Sequence, residues 1–251
     1  MAETDMSAVG RRGRLGVIAP STNTVVEHDL AMIRPDGVTF HTGRMYIENP
    51  ALDSDESFEL LLGEIRQSIT TAIRDVMTAK PTHLLMGMSA ETFWGGIAGN
   101  AAFEKRVHDQ SGLSVTTGAR SCRDALSAFG AERIGVFSPY QPVADRQVSA
   151  YFTEAGFEVA AVTGLRCDSA TSIAEVHEPE INHIVEQVDG PDVDAIVQVG
   201  TNLSFVRQAA ALEAELDKPV LAINVATLWH ALRTTGIDDR IHGFGRILAE
   251  H

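Results

Sequence analysis

Two segments of this chain repeat one pattern, and the repeat is the strongest constraint on its fold. His83–Gly96, HLLMGMSAETFWGG, places a short apolar run before a glycine, small polar residues and a phenylalanine. Ile196–Phe205, IVQVGTNLSF, follows the same order, and its Thr201 stands 112 residues after Ser89. A buried strand that ends at a loop facing a ligand is typical of such a pattern. The chain therefore presents two equivalent strand-end loops.

A second pair of segments gives a similar offset. RLGVIAP at Arg14–Pro20 and RIGVFSP at Arg133–Pro139 are 119 residues apart. Two separate motifs with similar offsets predict an internal duplication, in which each half opens with its own strand. We expect both halves to offer a strand-end loop to one shared cleft.

The order of the predicted elements defines the fold class. Apolar strands alternate with helical patterns, which indicates parallel sheets covered on both faces. We predict an α/β protein with two pseudo-symmetric, doubly wound, flavodoxin-like parallel-sheet domains and a site in the cleft between them. The predicted boundaries are a flexible tail at 1–12, a first half at 13–118 and a second half at 119–228. Residues from about 229 to 251 are expected to pack back on the first half.

Charge and hydropathy exclude several classes of partner. The net charge of the 251 residues is −14, which disfavours nucleic acid and anionic membranes. No apolar run reaches the roughly 20 residues of a membrane span, and the first dozen residues lack the apolar core of a signal peptide. An anionic substrate would have to be held by local hydrogen-bond donors.

Cysteine usage indicates a reducing compartment. The two cysteines, Cys122 and Cys167, are too few for a disulfide framework, so we predict a cytoplasmic protein. Neither cysteine falls at a strand-end loop, and each is interpreted as a small buried apolar residue. The nine histidines show no metal-ligand spacing, so no metal site is predicted.

Ligands of parallel sheets bind beyond the carboxyl ends of the strands. That rule brings four segments around one cleft: Pro20–Asn23, Met88–Thr92, Ser138–Tyr140 and Gly200–Ser204. Their polar side chains are hydrogen-bond donors without a cation, namely Ser21, Thr22, Asn23, Ser89, Tyr140, Thr201 and Asn202. Together with loop N–H groups, this set suits a carboxylate or a developing enolate.

Two further residue types at the central loop leave alternatives open. Glu91 could act as an acid or base, since a carboxylate beside an anionic ligand can have a raised pKa. The alternative is a surface or capping glutamate. Ser89 could be the nucleophile of a hydrolase, although Gly87–Glu91 lacks the second glycine of a nucleophile elbow.

The same residues resemble the aspartate/glutamate racemase superfamily, specifically its maleate cis–trans isomerase and arylmalonate decarboxylase branch. APSTNTVVE at Ala19–Glu27, Ser138–Tyr140 and Thr201–Leu203 are similar to isomerase segments. Met88–Gly96 and Gly243–Arg246 are similar to decarboxylase segments. The similarity extends over nearly the whole chain, from about residue 14 to residue 250.

The resemblance implies a pseudo-symmetric pair of domains that needs neither cofactor nor metal and acts on a small carboxylate. It also implies a cysteine in one or both strand-end loops, and the matching positions here are Met88 and Gly200. The expected substrate-binding residues at these loop ends are Ser21, Thr22, Asn23, Met88, Ala90, Gly200, Thr201 and Asn202.

Our first hypothesis is therefore a cofactor-independent lyase or isomerase that passes through an enolate-like state without the family's cysteines. Ser89, Thr201 and loop amides would hold the oxyanion, while Tyr140 or Glu91 would transfer protons. A second hypothesis is a small-acid binding protein that kept the cleft but has no catalysis. A third is a hydrolase that uses Ser89 or Glu91. A homo-oligomer is compatible with all three hypotheses.

Overall fold

The strand patterns of the two halves form two separate parallel sheets of four strands each. The computed structural model describes residues 8–251, so most of the predicted tail at 1–12 lies outside the described residues. The strands of the first sheet are β1 (Gly13–Pro20), β2 (Val38–Met45), β3 (His83–Met86) and β4 (Val115–Thr116). Those of the second sheet are β5 (Arg133–Ser138), β6 (Glu158–Gly164), β7 (Ala195–Gln198) and β8 (Val220–Ala222).

The strand order confirms the predicted duplication. The first sheet has the order β2-β1-β3-β4 and the second has the order β6-β5-β7-β8, so the two arrangements are equivalent. All pairings are parallel. In each sheet the first strand of the half is central, with the second strand on one side of it and the third strand on the other. In sheets of this order the ligand usually binds in the crevice at the carboxyl end of that first strand. The fold class predicted from the sequence is therefore confirmed.

Helices cover both sheets. They are α1 (Val26–Ile33), α2 (Asp55–Met77), α3 (Ala90–Phe93), α4 (Gly96–Ser111), α5 (Gly118–Phe129), α6 (Pro142–Glu154), α7 (Glu178–Val188), α8 (Val206–Leu216), α9 (Ile223–Thr234) and α10 (Arg246–Glu250). A single 3-10 turn, Ser172–Glu175, lies between β6 and α7. Within residues 8–251, no helix combines the length and the apolar character needed to cross a membrane.

The apolar residues of helix α2 recur every three or four positions from Phe58 to Val76, a periodicity that predicts an amphipathic helix. Ser54 caps its first turn through a reciprocal pair of hydrogen bonds with Ser57, which satisfies N–H groups that a helix start leaves unpaired. The helix packs along β1 and β2 and against α4 and α6. These contacts place α2 over the ends of the first sheet, next to the cleft.

The loop after β3 differs in part from its prediction. Ala90–Phe93 forms one short helical turn, α3, where the sequence indicated a loop. A tight turn follows it, in which Gly95 and Gly96 have φ angles of 76° and 66°. Left-handed backbone of this kind favours glycine. As a result, the chain passes from the cleft into α4 within a few residues.

The helices after the last strand of each sheet join the two halves. α5 follows β4, α9 follows β8, and the two helices pack against each other. α9 also contacts β3 and β4 of the first sheet, and α10 packs on α9. The division of the chain at residue 118 stays a prediction, since α5 and α9 both contribute to this shared layer.

Candidate active site

A cavity lies between the carboxyl ends of the two sheets. Nine of the predicted site residues line it: Thr22, Asn23, Met88, Ser89, Ala90, Tyr140, Gly200, Thr201 and Asn202. Ser89 and Thr201, the paired hydroxyl residues of the repeat, therefore face the same space. Its volume of about 60 Å³ is several times the roughly 10–15 Å³ that one water needs. The cavity therefore has room for more than a single water.

Two equivalent hydrogen bonds cross from one half to the other. The hydroxyl oxygens of Ser89 and Tyr140 are 2.6 Å apart, and both side chains are buried. The Nδ2 atom of Asn23 donates to Oγ1 of Thr201 at 3.1 Å. In each pair, a residue after the first strand of one half meets a hydroxyl after the third strand of the other. The pseudo-symmetry of the fold thus continues into the polar side chains of the cleft.

The Ser89–Tyr140 pair retains one hydroxyl proton that a ligand can receive. Either hydroxyl can be the donor of the 2.6 Å bond, so the other keeps its proton for a neighbouring acceptor. Burial raises the pKa of Tyr140, and the hydrogen bond with Ser89 opposes this only in part. Tyr140 therefore stays protonated at neutral pH, and its hydroxyl can donate a hydrogen bond.

The backbone of Tyr140 is held by a network that the sequence analysis missed. Its N–H donates to Oγ of Ser138 at 3.0 Å, and Ser138 donates in turn to the buried carboxylate of Asp145. Arg166 donates both to the carbonyl of Tyr140 and to Asp145. Burial raises the pKa of Asp145, while its bonds with Ser138 and Arg166 oppose that rise. These three residues fix where the tyrosine ring points.

Thr201 and Asn23 are occupied by contacts within the protein. The hydroxyl of Thr201 donates to the carbonyl of Gly87 at 3.0 Å, so its proton joins the two halves. Oδ1 of Asn23 accepts from the N–H groups of Val25 and Val26, which caps the start of α1. Both side chains therefore shape the cleft more than they offer a free donor.

Asn202 likewise bridges segments around the cleft. Its Oδ1 accepts from the N–H of Thr24 at 2.9 Å, and its Nδ2 donates to the carbonyl of Ala170 at 2.8 Å. The bonds join the β1 loop of the first half to the segment after β6. Asn202 therefore ties three segments of the cleft together.

Backbone N–H groups supply the donors that the side chains do not. Those of Ser89 and Ala90 find no hydrogen-bond acceptor among residues 8–251. The same holds, within that range, for the N–H groups of Thr201 and Asn202 in the equivalent loop. Unpaired backbone donors at the edge of a buried cavity are suited to an anionic oxygen. Each half contributes such a pair.

An apolar wall faces these donors, and the sequence analysis did not assign it to the site. Its residues are Ile47, Leu52, Phe58, Leu61, Leu62, Ile65, Ala170 and Ile173. Four of them belong to the apolar stripe of α2. The sequence did not reveal their role, because a stripe that faces the core and a stripe that faces a ligand have the same periodicity. The Phe58 ring packs edge-on against Tyr140, with 5.4 Å between centroids.

Two loops close over the cavity from opposite halves. The backbone N–H of Leu52 donates to the carbonyl of Asp168 at 2.7 Å, and Ala51 forms an antiparallel bridge with Ser169. Asn49 and Thr171 exchange two hydrogen bonds, of 2.9 and 3.1 Å. No local pattern indicated this contact, because the pairing joins residues more than 110 positions apart.

Two predicted site residues do not line the cavity. The hydroxyl of Ser21 accepts from the N–H of Ile47 at 3.0 Å, so it fixes a loop end. The buried carboxylate of Glu91 points to the other side of α3 and forms two 2.8 Å bonds with Arg66. Glu91 follows Ser89 by two residues, and two residues of helix turn a side chain by about 200°. The structure thus separates Glu91 from the cleft.

The cysteines also lie away from the cavity lining. Cys122 is fully buried in α5, and burial raises its pKa. Cys167 follows β6, and burial raises its pKa to about 11. Neither thiol is activated as a thiolate at neutral pH. Among residues 8–251, no group of three or more His, Cys, Asp or Glu side chains could hold a metal ion.

A buried carboxyl group stands behind the second loop. Asp29 of α1 accepts from Nδ2 of Asn224 at 2.7 Å, and the same amide donates to the carbonyl of Thr201 at 3.0 Å. Burial raises the pKa of Asp29 to about 6, against the opposing effects of the Asn224 bond and of His28. The feature of the sequence that could have indicated a buried Asp29 is its place among the apolar residues of a short helix.

We expect Asp29→Asn to change how stability depends on pH. In the wild type the folded pKa is about 6 and the ordinary value is 3.8, so the folded state binds a proton that the unfolded state has released. The free energy of unfolding therefore falls as the pH rises from about 4 to 7, by up to about 3 kcal/mol for this group. The asparagine variant lacks this contribution.

Urea unfolding of both proteins at pH 4.5 and pH 7.5 measures the effect of Asp29. The stability of the variant relative to the wild type should increase between the two values. If the difference in unfolding free energy between the variant and the wild type is the same at both pH values, Asp29 titrates at its ordinary pKa in the folded protein.

The fold and cleft define a pseudo-symmetric, two-domain α/β protein with a small cavity at the domain interface. The arylmalonate decarboxylase family model matches residues 15–248, so the chain belongs to that family. A maleate isomerase of Pseudomonas putida is 26% identical over 249 residues, which cover 94% of this chain and 97% of that protein. An arylmalonate decarboxylase of Bordetella bronchiseptica is 26% identical over 172 residues, or 66% of this chain and 70% of that protein.

Solved structures show the same fold. A Nocardia farcinica maleate cis-trans isomerase mutant with a covalently bound succinylcysteine intermediate aligns with a TM-score of 0.86 at 22% identity, over 95% of this chain and 98% of that one. A liganded double mutant of arylmalonate decarboxylase aligns with a TM-score of 0.83 at 21% identity, over 95% and 99%. The resemblance stated from the sequence is confirmed for the branch, whose named members are isomerases and lyases.

Proposed function

We propose that this chain is a cofactor-independent lyase that decarboxylates a small, substituted malonate through an enolate-like intermediate. One observation carries the proposal. Among the described residues that line the cavity, Tyr140 is the only titratable one. Isomerisation of a double bond needs a nucleophile and racemisation needs a base, whereas loss of CO2 needs neither. A cleft of hydroxyl and amide donors favours decarboxylation.

The proposed step balances without a co-reactant other than a proton. The bond between the α-carbon and one carboxylate breaks, its electron pair stays on the α-carbon, and CO2 leaves. The resulting enolate oxygens accept hydrogen bonds from the Ser89 hydroxyl and from the loop N–H groups of Ser89 and Ala90. While the Ser89 hydroxyl donates to the enolate, Tyr140 donates to the Ser89 oxygen. Tyr140 then leaves that hydrogen bond, transfers its proton to the α-carbon and regains one from water. The retained carboxylate becomes that of the product.

The apolar wall supports this chemistry in two ways. It removes water from the departing carboxylate, and desolvation favours the neutral CO2 over the charged group. It also offers a surface for an apolar substituent on the α-carbon, to which α2 contributes Phe58, Leu61, Leu62 and Ile65. We therefore propose a malonate that carries an alkyl or aryl group.

The residues at the two loop positions support a route without thiols. Gly200 has a φ of 112°, and a Cβ atom built there would lie 2.5 Å from Cδ of Pro139. A cysteine at this position would have to displace the residue next to Tyr140. Met88 occupies the other position and offers no proton.

A second candidate function is reversible binding of a small acid without turnover. The observation in its favour is that Asn23, Thr201 and Asn202 already have internal hydrogen-bond partners, which suits a rigid binding site. The hydrolase alternative gains less support, because the only side-chain partner of the Ser89 hydroxyl among the described residues is Tyr140.

Incubation of the protein with methylmalonate, phenylmalonate and maleate tests the proposal. Proton NMR in D₂O and CO2 release should show a monocarboxylate with deuterium at the α-carbon from at least one malonate. Fumarate from maleate would favour isomerase chemistry and contradict the lyase assignment. Saturable binding without any product would favour the acid-binding protein.

A further inference from the structure

The ion pair of Glu91 joins the two walls of the cavity. Nε and Nη2 of Arg66 bond to the two carboxylate oxygens of Glu91, each at 2.8 Å. Nη2 of Arg106 lies 3.6 Å from Oε1 of the same group. The side chain of Glu91 is 6% exposed and that of Arg66 is 45% exposed. Bidentate contacts between arginine and a carboxylate fix orientation as well as distance.

The partners of this ion pair belong to the two elements that would contact substrate. Glu91 is on α3, two residues from Ser89, which lines the cavity. Arg66 is on α2, directly after Ile65 of the apolar wall. The pair therefore sets the spacing between the proposed oxyanion donors and the surface that would receive the substituent.

The pair is not needed to hold α2 in the fold. This helix of 23 residues packs along β1 and β2 and against α4 and α6. Buried apolar residues such as Phe58, Leu62 and Ile73 account for that packing. Loss of this ion pair should therefore leave α2 in place. Only the position of α3 relative to α2 should become free to change.

We infer that Arg66 and Glu91 are positioning residues that set the size of substituent the cleft accepts. The inference rests on the proposed function, and it gives Glu91 a role different from acid–base catalysis. With the pair intact, the wall stands close to Ser89 and a small substituent fills the gap. Without it, the α3 turn that carries the donors shifts away from the wall, a small substituent loses contact, and a bulky one is tolerated better.

The test compares Arg66→Met and Glu91→Gln with wild type on methylmalonate and phenylmalonate. We expect kcat/KM for methylmalonate to fall tenfold or more, and kcat/KM for phenylmalonate to fall by less than threefold. Arg66→Lys keeps the charge and one hydrogen bond. The ratio of kcat/KM for methylmalonate to kcat/KM for phenylmalonate should therefore return partway to the wild-type value. Arg74→Met removes an exposed arginine of the same helix and is the matched control, with an unchanged ratio. Equal losses on both substrates would overturn the inference.

A binding measurement separates this inference from the proposed function. Calorimetry with propionate and phenylacetate reports the selectivity of the cleft whether or not the protein turns over malonates. A wild type that binds both acids without any turnover would contradict the lyase assignment. The positioning role would still be supported if the ratio of the two affinities shifts at least threefold toward phenylacetate in Arg66→Met and Glu91→Gln. An unshifted ratio, or no binding by the wild type, would overturn it.

Discussion

Tyr140→Phe should lower kcat/KM for malonate decarboxylation by a factor of about 10²–10⁴, the usual contribution of a positioned proton donor. The substitution keeps the ring, so the edge contact with Phe58 survives and only the hydroxyl is lost. The remaining enolate must take its proton from water, and the product of a malonate with two different α-substituents, such as methyl and phenyl, should lose enantiomeric purity. Steady-state kinetics and chiral chromatography measure the two effects.

Tyr151→Phe is the matched control for this substitution. The hydroxyl of Tyr151 is also buried, but it has no hydrogen-bond partner among the described residues and lies outside the cavity lining. Removing it should leave kcat/KM unchanged. If both variants lose activity alike, the effect reports a general loss of structure rather than proton transfer by Tyr140.

Ser89→Ala extends the same prediction to the oxyanion donor. Loss of one such donor costs about 10²–10³ in kcat in enzymes that stabilise an anionic intermediate. Ser89 and Tyr140 share one hydrogen bond, so the double variant should lose less than the product of the two single effects. Strict additivity would show that the 2.6 Å contact has no role in turnover.

Gly135→Ala should lower the free energy of unfolding by about 3 kcal/mol or more, at the upper end for overpacked cores. Gly135 is on β5, and a Cβ atom there would overlap the backbone carbonyl oxygen of Val188. A backbone carbonyl cannot rotate away as a side chain can. The end of α7 would have to move off the second sheet, which chemical denaturation would detect as a lower midpoint.

Two other glycines are controls for that prediction. Gly16 is the equivalent of Gly135 in the repeat, but its Cβ would meet side chains only, with Cδ2 of Leu84 nearest at 2.8 Å. Gly16→Ala should therefore cost less than Gly135→Ala. Gly63 of α2 has nothing within 4 Å of the position that a methyl group would take, and alanine there should gain up to about 1 kcal/mol. A Gly135→Ala protein as stable as wild type would contradict the close packing.

The repeat predicted much of the fold because strand ends in parallel sheets follow from local patterns. An apolar run followed by glycine and small polar residues marks a buried strand and its carboxyl end, and parallel pairing brings those ends to one edge. Ser89, Thr201 and Tyr140 were found this way. The apolar stripe of α2 was also found, but its periodicity could not tell a wall of the site from the core.

Glu91 shows why a loop sequence does not specify side-chain direction. Its closeness to Ser89 along the chain favoured a role in the cleft, yet one helical turn placed the two side chains on opposite faces. Arg66, the partner of Glu91, lies 25 residues away on another helix. Nothing in either local pattern indicates the other.

The duplicated α/β architecture, the shared cleft and the hydroxyl residues at its floor could all be predicted from the amino-acid order, because they depend on short-range periodicity and on its repetition. Three-dimensional packing was needed to show which polar groups are free, which are occupied by cross-half bonds, and that Tyr140 alone can titrate in the described cavity lining. Such pairings join residues far apart in the chain, such as Asn23 and Thr201. Their partners are set by how the two halves pack, which local patterns do not encode.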